Sequence, residues 1–547
     1  MSHVPTLEIL GLILAAIAVI VVLQSLADRT GLPTAALLTV AGLVYAVLPG
    51  RSLELDPHVI LTFVIPPLIY SAALNSSLLA IRKNLRTVIS LSIGLVLATV
   101  IAVSVGMNLL VPGIGVAAGI ALGAAISPTD PVAALAAGGR AGLPPRLITI
   151  IEGEGLLNDA TALTVLTVAV TAASRGGFSI GDAVLRFLVA AAGGLLAGVA
   201  IAIAVRVLRR AVRDPLLVNC ISLATPFGAY LLGEGLHVSG VLAVAIAGLM
   251  IGHDTSRFTS GASRLQATAV WRLVDFLLQG FVFLMIGEQI VPVVHGLSAY
   301  PVATIVTSAA ISLGAVLLLR PLWLLLTQSL RGAAKLRRGS ATTPGTRRLT
   351  GRQVAVLSWA GTRGVINLAA ISAVPLVTAA GSPFPGRDLL VFCTYLVVVV
   401  TLVGQGVTFG PLARALGVCA DPADAALVRG QARAAAVRAA RARLDQIAAG
   451  GEVPGPILGT LRAWLDHQAW RYHPLPGGGL DPVQDPGPEP PAHAAALRAR
   501  KAVIEAQREE LLRWRDAGHL PDASLRMLER ELDHSERALA QHDGHPG

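Results

Sequence analysis

Apolar runs of about twenty residues recur along the first 416 positions of this chain, and that length is what a helix needs to cross a hydrocarbon core. With no water there to satisfy backbone groups, such runs must fold as helices. Hydrophobic residues make up 54% of the 547 positions and charged residues 14%. With a mean hydropathy of +0.68, that excludes an ordinary soluble globule. Thirteen runs are readable, centred near Ala16, Ala41, Pro66, Leu97, Ala125, Thr164, Leu195, Thr225, Ala245, Phe281, Ala315, Val365 and Val400. The first, Leu7–Leu26, is too long and too poorly flanked by basic residues for a cleavable signal, so it reads as a span.

Loop charge gives an orientation. Alternate loops, starting after the first run, carry Arg29; Arg82, Lys83 and Arg86; Arg140 and Arg146; Arg206, Arg209, Arg210 and Arg213; Arg257, Arg264 and Arg272; and Arg331, Lys335, Arg337, Arg338, Arg347, Arg348 and Arg352. The opposite loops carry only Arg51, Arg175, Arg186 and Arg387. The Arg-rich side is read as cytoplasmic, with the N-terminus outside. The net charge of +10 then reflects topology and not nucleic-acid binding.

Polar side chains interrupt this pattern in three runs. The fifth run contains SPTDPVA, in which Pro128 and Pro131 flank Thr129 and Asp130; the sixth contains EGEGLLNDATAL, with Glu154, Asn158 and Asp159. Each proline removes a donor and clashes with the preceding turn, so the fifth helix is expected to break. The twelfth run is broken at Gly361, Thr362, Arg363 and Gly364. The two breaks are seven runs apart, as they would be if runs one to six repeat, inverted, as eight to thirteen. Paired interruptions in two halves point to a secondary transporter's binding site.

Asp159 is the central candidate. A carboxylate in the bilayer is costly and faces a partner or a wet cavity. Asp159 can hold a proton or a cation but not both, which is the minimum needed for exchange. Asn158 points about 100° away around the helix, and Gly155, four residues earlier, leaves space on the Asp159 face. Glu154 and Arg320 read as a structural charge pair, unless Arg320 snorkels to the interface. Arg363 is expected to counter dipoles at the twelfth-run break. Glu152, Asp275 and Glu288 read as interfacial, Gly194 and Gly198 as helix-packing positions, and Cys220, Cys393 and Cys419 as packing residues.

Residues 1–416 are thus expected to form the membrane domain and 417–547 a cytoplasmic helical tail. The tail has a helix-favouring stretch Arg429–Ala448, a Pro/Gly linker over 474–491 and a charged helical segment near Ala494–His542 with Leu525, Leu528 and Leu532 on one face. It reads either as a regulatory or dimer-supporting element or as a solvated appendage. No nucleophile–base constellation, metal-ligand cluster or nucleotide loop is readable, so no enzyme activity and no cofactor are expected.

SPTDPVA, EGEGLLNDATAL and the late GTRGVINLA together resemble the monovalent cation:proton antiporters, in the branch of NhaP-type proteins and sodium/proton exchangers. The tail stretches RWRDAGHLPD and LERELD are also similar to bacterial members. The resemblance covers roughly residues 7–416. It implies an all-α polytopic fold in which two discontinuous helices cross, a homodimer with a six-helix core in each protomer, and a role in pH homeostasis. It implies that Asp159 carries the ion and the proton, that Thr129 helps coordinate the cation, that Asp130 bonds to Asn158, and that Glu154 pairs with Arg320. An Asn-Asp pair implies electroneutral exchange. Two positions depart from the family: Gly155 stands where Ser is frequent, and Ser71, in IPPLIYSAAL, stands where many members carry an acid. The expectation is a Na+/H+ antiporter of the cytoplasmic membrane, with K+/H+ exchange as the alternative, Li+ as a further candidate ion, and a channel or sensor on the same scaffold as a more distant one.

Overall fold

Each predicted centre falls within a helical element of the computed structural model, which describes residues 6–48, 60–131, 134–135, 142–175, 180–212, 214–258, 261–338, 349–377, 384–420, 422–450, 453–471 and 490–542. Arg51, Arg140, Arg213, Arg347, Arg348 and most of the Pro/Gly linker lie outside the described residues.

The helices, in order, are α1 (Thr6–Thr30), α2 (Thr34–Val47), α3 (Ile65–Asn75), α4 (Leu78–Ile89), α5 (Val96–Leu110), α6 (Val116–Ile126), α7 (Pro145–Arg175), α8 (Ile180–Ala211), α9 (Pro215–Gly235), α10 (Gly240–Phe258), α11 (Gly261–Glu288), α12 (Ile290–His295), α13 (Val302–Arg338), α14 (Gly351–Trp359), α15 (Val365–Ser372), α16 (Arg387–Val399), α17 (Gly406–Ala415), α18 (Pro422–Ala449), α19 (Gly455–Arg471), α20 (Pro490–Asp516) and α21 (Asp522–His542). A wider π turn, Ser90–Leu95, joins α4 to α5, and another, Val400–Gln405, joins α16 to α17. Among the described residues, eight helical stretches are long and apolar enough to cross a membrane; Thr34–Val47, Thr62–Asn75, Val116–Ile126 and Gly240–Thr255 are shorter apolar helices.

The chain divides into two units. The first takes Met1–Leu208, Cys220–His253 and Val270–Cys419. Its helix α6 is largely enclosed: Ala121, Leu122, Ala124, Ala125 and Ile126 are all buried. Gly119 and Gly123 of α6 let α5 lie close against it, since a methyl group on either would strike the backbone of Ser104 or Val100, which is how helices associate when lipid offers no hydrophobic drive. Gly194 and Gly198 do the same for α8, because a methyl group on Gly194 would strike the Ser239 carbonyl just before α10 and one on Gly198 the Ala243 carbonyl within it. The outer surface is apolar as well: Leu185, Leu188 and Leu196 on α8 and Leu318, Leu322 and Leu325 on α13 are exposed. An exposed apolar surface of this extent suits lipid, not water. Two readings need correction. Cys393 is buried, but Cys220 and Cys419 are exposed and pack no core. Glu288, read as interfacial, is buried.

The second unit takes Arg209–Asn219, Asp254–Ala269 and Ala420–Gly547. The charged segment expected as one helix is two, α20 and α21, turned at Gly518, whose φ of +75° suits a residue without a Cβ. Pro490 and Pro491, read as the end of the linker, open α20, where a missing N–H costs nothing. Leu525, Leu528 and Leu532 are buried against Ala432, Ala436, Ile504 and Leu511, so this face is a packed core and not solvated. One ionic cluster is enclosed there. Asp533 pairs with Arg264 and, at 3.1 Å, with Arg508, which also reaches Glu536 at 2.8 Å. Burial disfavours the Arg508 charge, but the Glu536 hydrogen bond, with the charges of Glu536, Asp533 and Glu529, outweighs it and holds the guanidinium above its usual range.

Candidate functional site

α6 stops at Ile126 because Pro128 and Pro131 cannot continue it, and α14 stops at Trp359 with the non-helical residues Ala360–Gly364 before α15. Both breaks release backbone groups inside the first unit, and the two breaks satisfy each other. The Asp130 amide donates to the Thr362 carbonyl at 2.7 Å, and the Thr362 hydroxyl donates to the Asp130 carbonyl at 2.7 Å. The Asn367 amide donates to the carbonyls of Ala125 (2.8 Å) and Pro128 (3.0 Å). Arg363 donates to the Ile126 carbonyl at 3.1 Å, to the Gly361 carbonyl and, at 3.5 Å, to that of Ser127. A cation at the C-terminal end of α6 meets the negative end of its dipole. Arg363 thus serves the break in the other half of the chain as well as its own.

Two glycines of GTRG make room for charge. A Cβ on Gly361 would meet the Arg320 Cδ at 2.8 Å, and one on Gly364 would collide with the Asp130 carboxylate. Gly155 on α7 faces Pro131, and a Cβ there would meet the ring at 2.6 Å.

Behind the crossing runs a buried polar chain. Arg320 pairs with Glu154 through both guanidinium nitrogens, the second at 2.9 Å, and donates to the Leu357 carbonyl at 2.9 Å. Both side chains are only 2% exposed, so neither charge could stand without the other. The Thr129 hydroxyl donates to Glu154 at 3.1 Å and accepts from the Asn158 amide at 2.8 Å. The resemblance implies an Asp130–Asn158 bond. Here the Asn158 amide goes to Thr129, because the Asp130 carboxylate lies against Gly364. The Thr129 hydroxyl, expected to face the cation, is spent on Glu154 and Asn158.

In front of the crossing is a cavity of about 250 Å³. Ser71, Asp130, Gly155, Asp159, Asp275 and Gln279 line it, and Glu152 reaches it too. Asp159 is 6% exposed, and among the described residues no hydrogen bond or ion pair reaches its carboxylate. Such a group is costly unless a proton or a cation neutralises it. A second cavity, about 260 Å³, is lined by Gln289, Leu368, Ser372, Arg387 and Asp388. Val365, the first residue of α15, lines both.

The family model for the transmembrane part of sodium/hydrogen exchangers matches residues 13–415. The chain belongs to the sodium/hydrogen exchanger family. It is 33% identical to an uncharacterized Na+/H+ exchanger of Mycobacterium tuberculosis over 97% of this chain and 96% of that protein. It is 31% identical to a protein of Bacillus subtilis named as a sodium, potassium, lithium and rubidium/H+ antiporter, over 66% of this chain and 55% of that one. The fold is similar to that of the sodium proton antiporter MjNhaP1 of Methanocaldococcus jannaschii, with a TM-score of 0.59 and 17% identity, over 75% of this chain and 99% of that one.

For this exchanger-family chain, reading the sequence missed Asp275 and Gln279. Asp275 was assigned to an interface, yet it lines the Asp159 cavity and accepts a hydrogen bond from Ser71 at 2.5 Å. A carboxylate thus stands beside Ser71, where the sequence reading found one missing. The signal was present: an acid inside WRLVDFLLQGFVFLM breaks an apolar run just as Asp130 does.

Proposed function

We propose that this chain exchanges Na+ for H+ across the cytoplasmic membrane, one for one, by alternating access, with the two ions competing for Asp159. The observation that carries this reading is the Asp159 carboxylate, buried, without a hydrogen-bonding partner among the described residues and lining a cavity. One carboxylate that binds either ion moves one charge in each direction, so the exchange is electroneutral. Asp130 adds negative charge to the cavity wall, Thr129 and Asn158 brace the crossing, and Glu154 with Arg320 anchors α7 to α13. Residues 1–416 form the transport domain and 417–547 a cytoplasmic tail, the N-terminus lies outside, and the protein works as a homodimer in lipid. The Arg-rich loops support that orientation.

K+/H+ exchange is the second reading. The name of the Bacillus subtilis relative, which spans four alkali cations, favours it.

The test is cation-driven pH change in proteoliposomes, followed with a trapped pH dye across a Na+, K+ and Li+ series. Imposed Na+ gradients should move protons, and imposed pH gradients should move Na+. Asp159→Asn should abolish both. Exchange by that variant at the wild-type rate would remove Asp159 from the mechanism, and gradient-uncoupled flux would indicate a channel.

A further inference from the structure

Asp275 is, with Glu152, one of two acids of the cavity to which the exchange reading gives no work. It sits on α11, and Ser71 of α3 donates to its Oδ2. Its other oxygen, Oδ1, is buried and has no hydrogen-bond partner among the described residues. An ionised carboxylate offers about four lone-pair positions, and the serine takes one. Asp275 lines the same cavity as Asp159, whose carboxylate also has no hydrogen-bond partner among the described residues. Gln279 lies four residues on, on the same face of α11, and Asn75 lies four residues after Ser71 on α3; both reach the cavity. The Asn75 amide nitrogen is engaged with the Ser71 carbonyl at 3.0 Å, which leaves its oxygen as an acceptor. A hard monovalent cation that sheds water needs several oxygens together, and Asp159 alone supplies two.

We propose that Asp275, oriented by Ser71, is a second cation-holding carboxylate of this cavity, receiving the ion in transit to and from Asp159 and setting the apparent affinity for it. The proposal rests on the exchange reading and deepens it. Asp159 is where ion and proton compete; Asp275 draws the cation into the cavity and supplies part of its oxygen shell. A unit charge a few ångströms from a cation in a partly enclosed site acts on binding more than on turnover.

The experiment measures half-saturating Na+ and maximal rate at one fixed pH in proteoliposomes for wild type, Asp275→Asn, Asp275→Glu and Ser71→Ala. In parallel, the Na+-induced rise in Tm is measured on detergent-purified protein. Asp275→Asn should raise half-saturating Na+ on the order of tenfold, with the maximal rate within about twofold of wild type. The Tm rise at a given Na+ concentration should shrink, since ligand stabilisation follows the ratio of concentration to Kd. Asp275→Glu should restore most of the affinity, and Ser71→Ala should lose part of it. An unchanged half-saturating concentration in Asp275→Asn overturns the proposal, whether or not the maximal rate falls; a fall would mean that the acid only holds α3 to α11. If wild type shows no exchange, or Asp159→Asn exchanges normally, the exchange reading fails instead, and the Na+-induced Tm rise still reports on Asp275.

Discussion

Thr362 and Asp130 join the two chain breaks by reciprocal hydrogen bonds, each 2.7 Å long, from amide to carbonyl in one direction and from hydroxyl to carbonyl in the other. Thr362 is fully buried, so no solvent can replace its donor. Thr362→Val keeps the shape and removes the hydroxyl. It should destabilise the protein by about 1–3 kcal/mol, the cost of a buried acceptor left unmade. Thermal unfolding in detergent checks this, with Ser at the same position as the variant that retains the bond.

Glu154 and Arg320 give a sharper result through non-additivity. Removing either partner leaves a buried charge and should cost about 3–5 kcal/mol, enough to lower expression or unfold the protein. The double variant Glu154→Gln with Arg320→Met should recover much of that loss, because no lone charge remains. A double variant as unstable as the sum of the singles would show that the pair is not the interaction that matters.

Competition at Asp159 has a signature in pH. A proton and a cation that exclude each other make half-saturating Na+ rise as pH falls, by about tenfold per unit once the proton dominates the site. The maximal rate at saturating Na+ changes less. Initial rates over a pH and Na+ grid measure both. A half-saturating concentration that is flat with pH would mean that the ions use separate sites.

Gly364 and Gly155 differ in what surrounds them. Gly364→Ala would push a methyl group into the Asp130 carboxylate at the crossing, whereas Gly155→Ala meets the edge of the Pro131 ring. Gly364→Ala should abolish transport while the helix content by circular dichroism is kept. Gly155→Ala should slow transport without abolishing it, since the Pro131 ring, 2.6 Å from the added methyl group, must give way.

In the second unit, Asp533→Ala would strip the carboxylate from the buried Arg264 and the partly buried Arg508, leaving Arg508 its bond to Glu536. The loss should be about 3–5 kcal/mol within that unit. Limited proteolysis should then cut α20 and α21 faster.

The helices were legible in the sequence because an apolar run of the right length admits little else, and both breaks were legible because proline and glycine interrupt such runs for stereochemical reasons. The members of the Glu154–Arg320 pair were named from the cost of burying either charge alone. What single residues could not convey was partnership across distant helices. Asn158 could have faced Asp130, and only the turn of the Asp130 carboxylate toward Gly364 explains why its amide meets Thr129. Asp275 was passed over because its acidity was weighed by its place along one helix. Its proximity to Ser71, 204 positions away, exists only after folding.

The shared position of Val365 between the two cavities carries a consequence for the cell. Val365 is part of the wall between them. A breach of that wall would let ions pass without exchange and drain the electrochemical store on which other gradient-driven processes in a membrane draw.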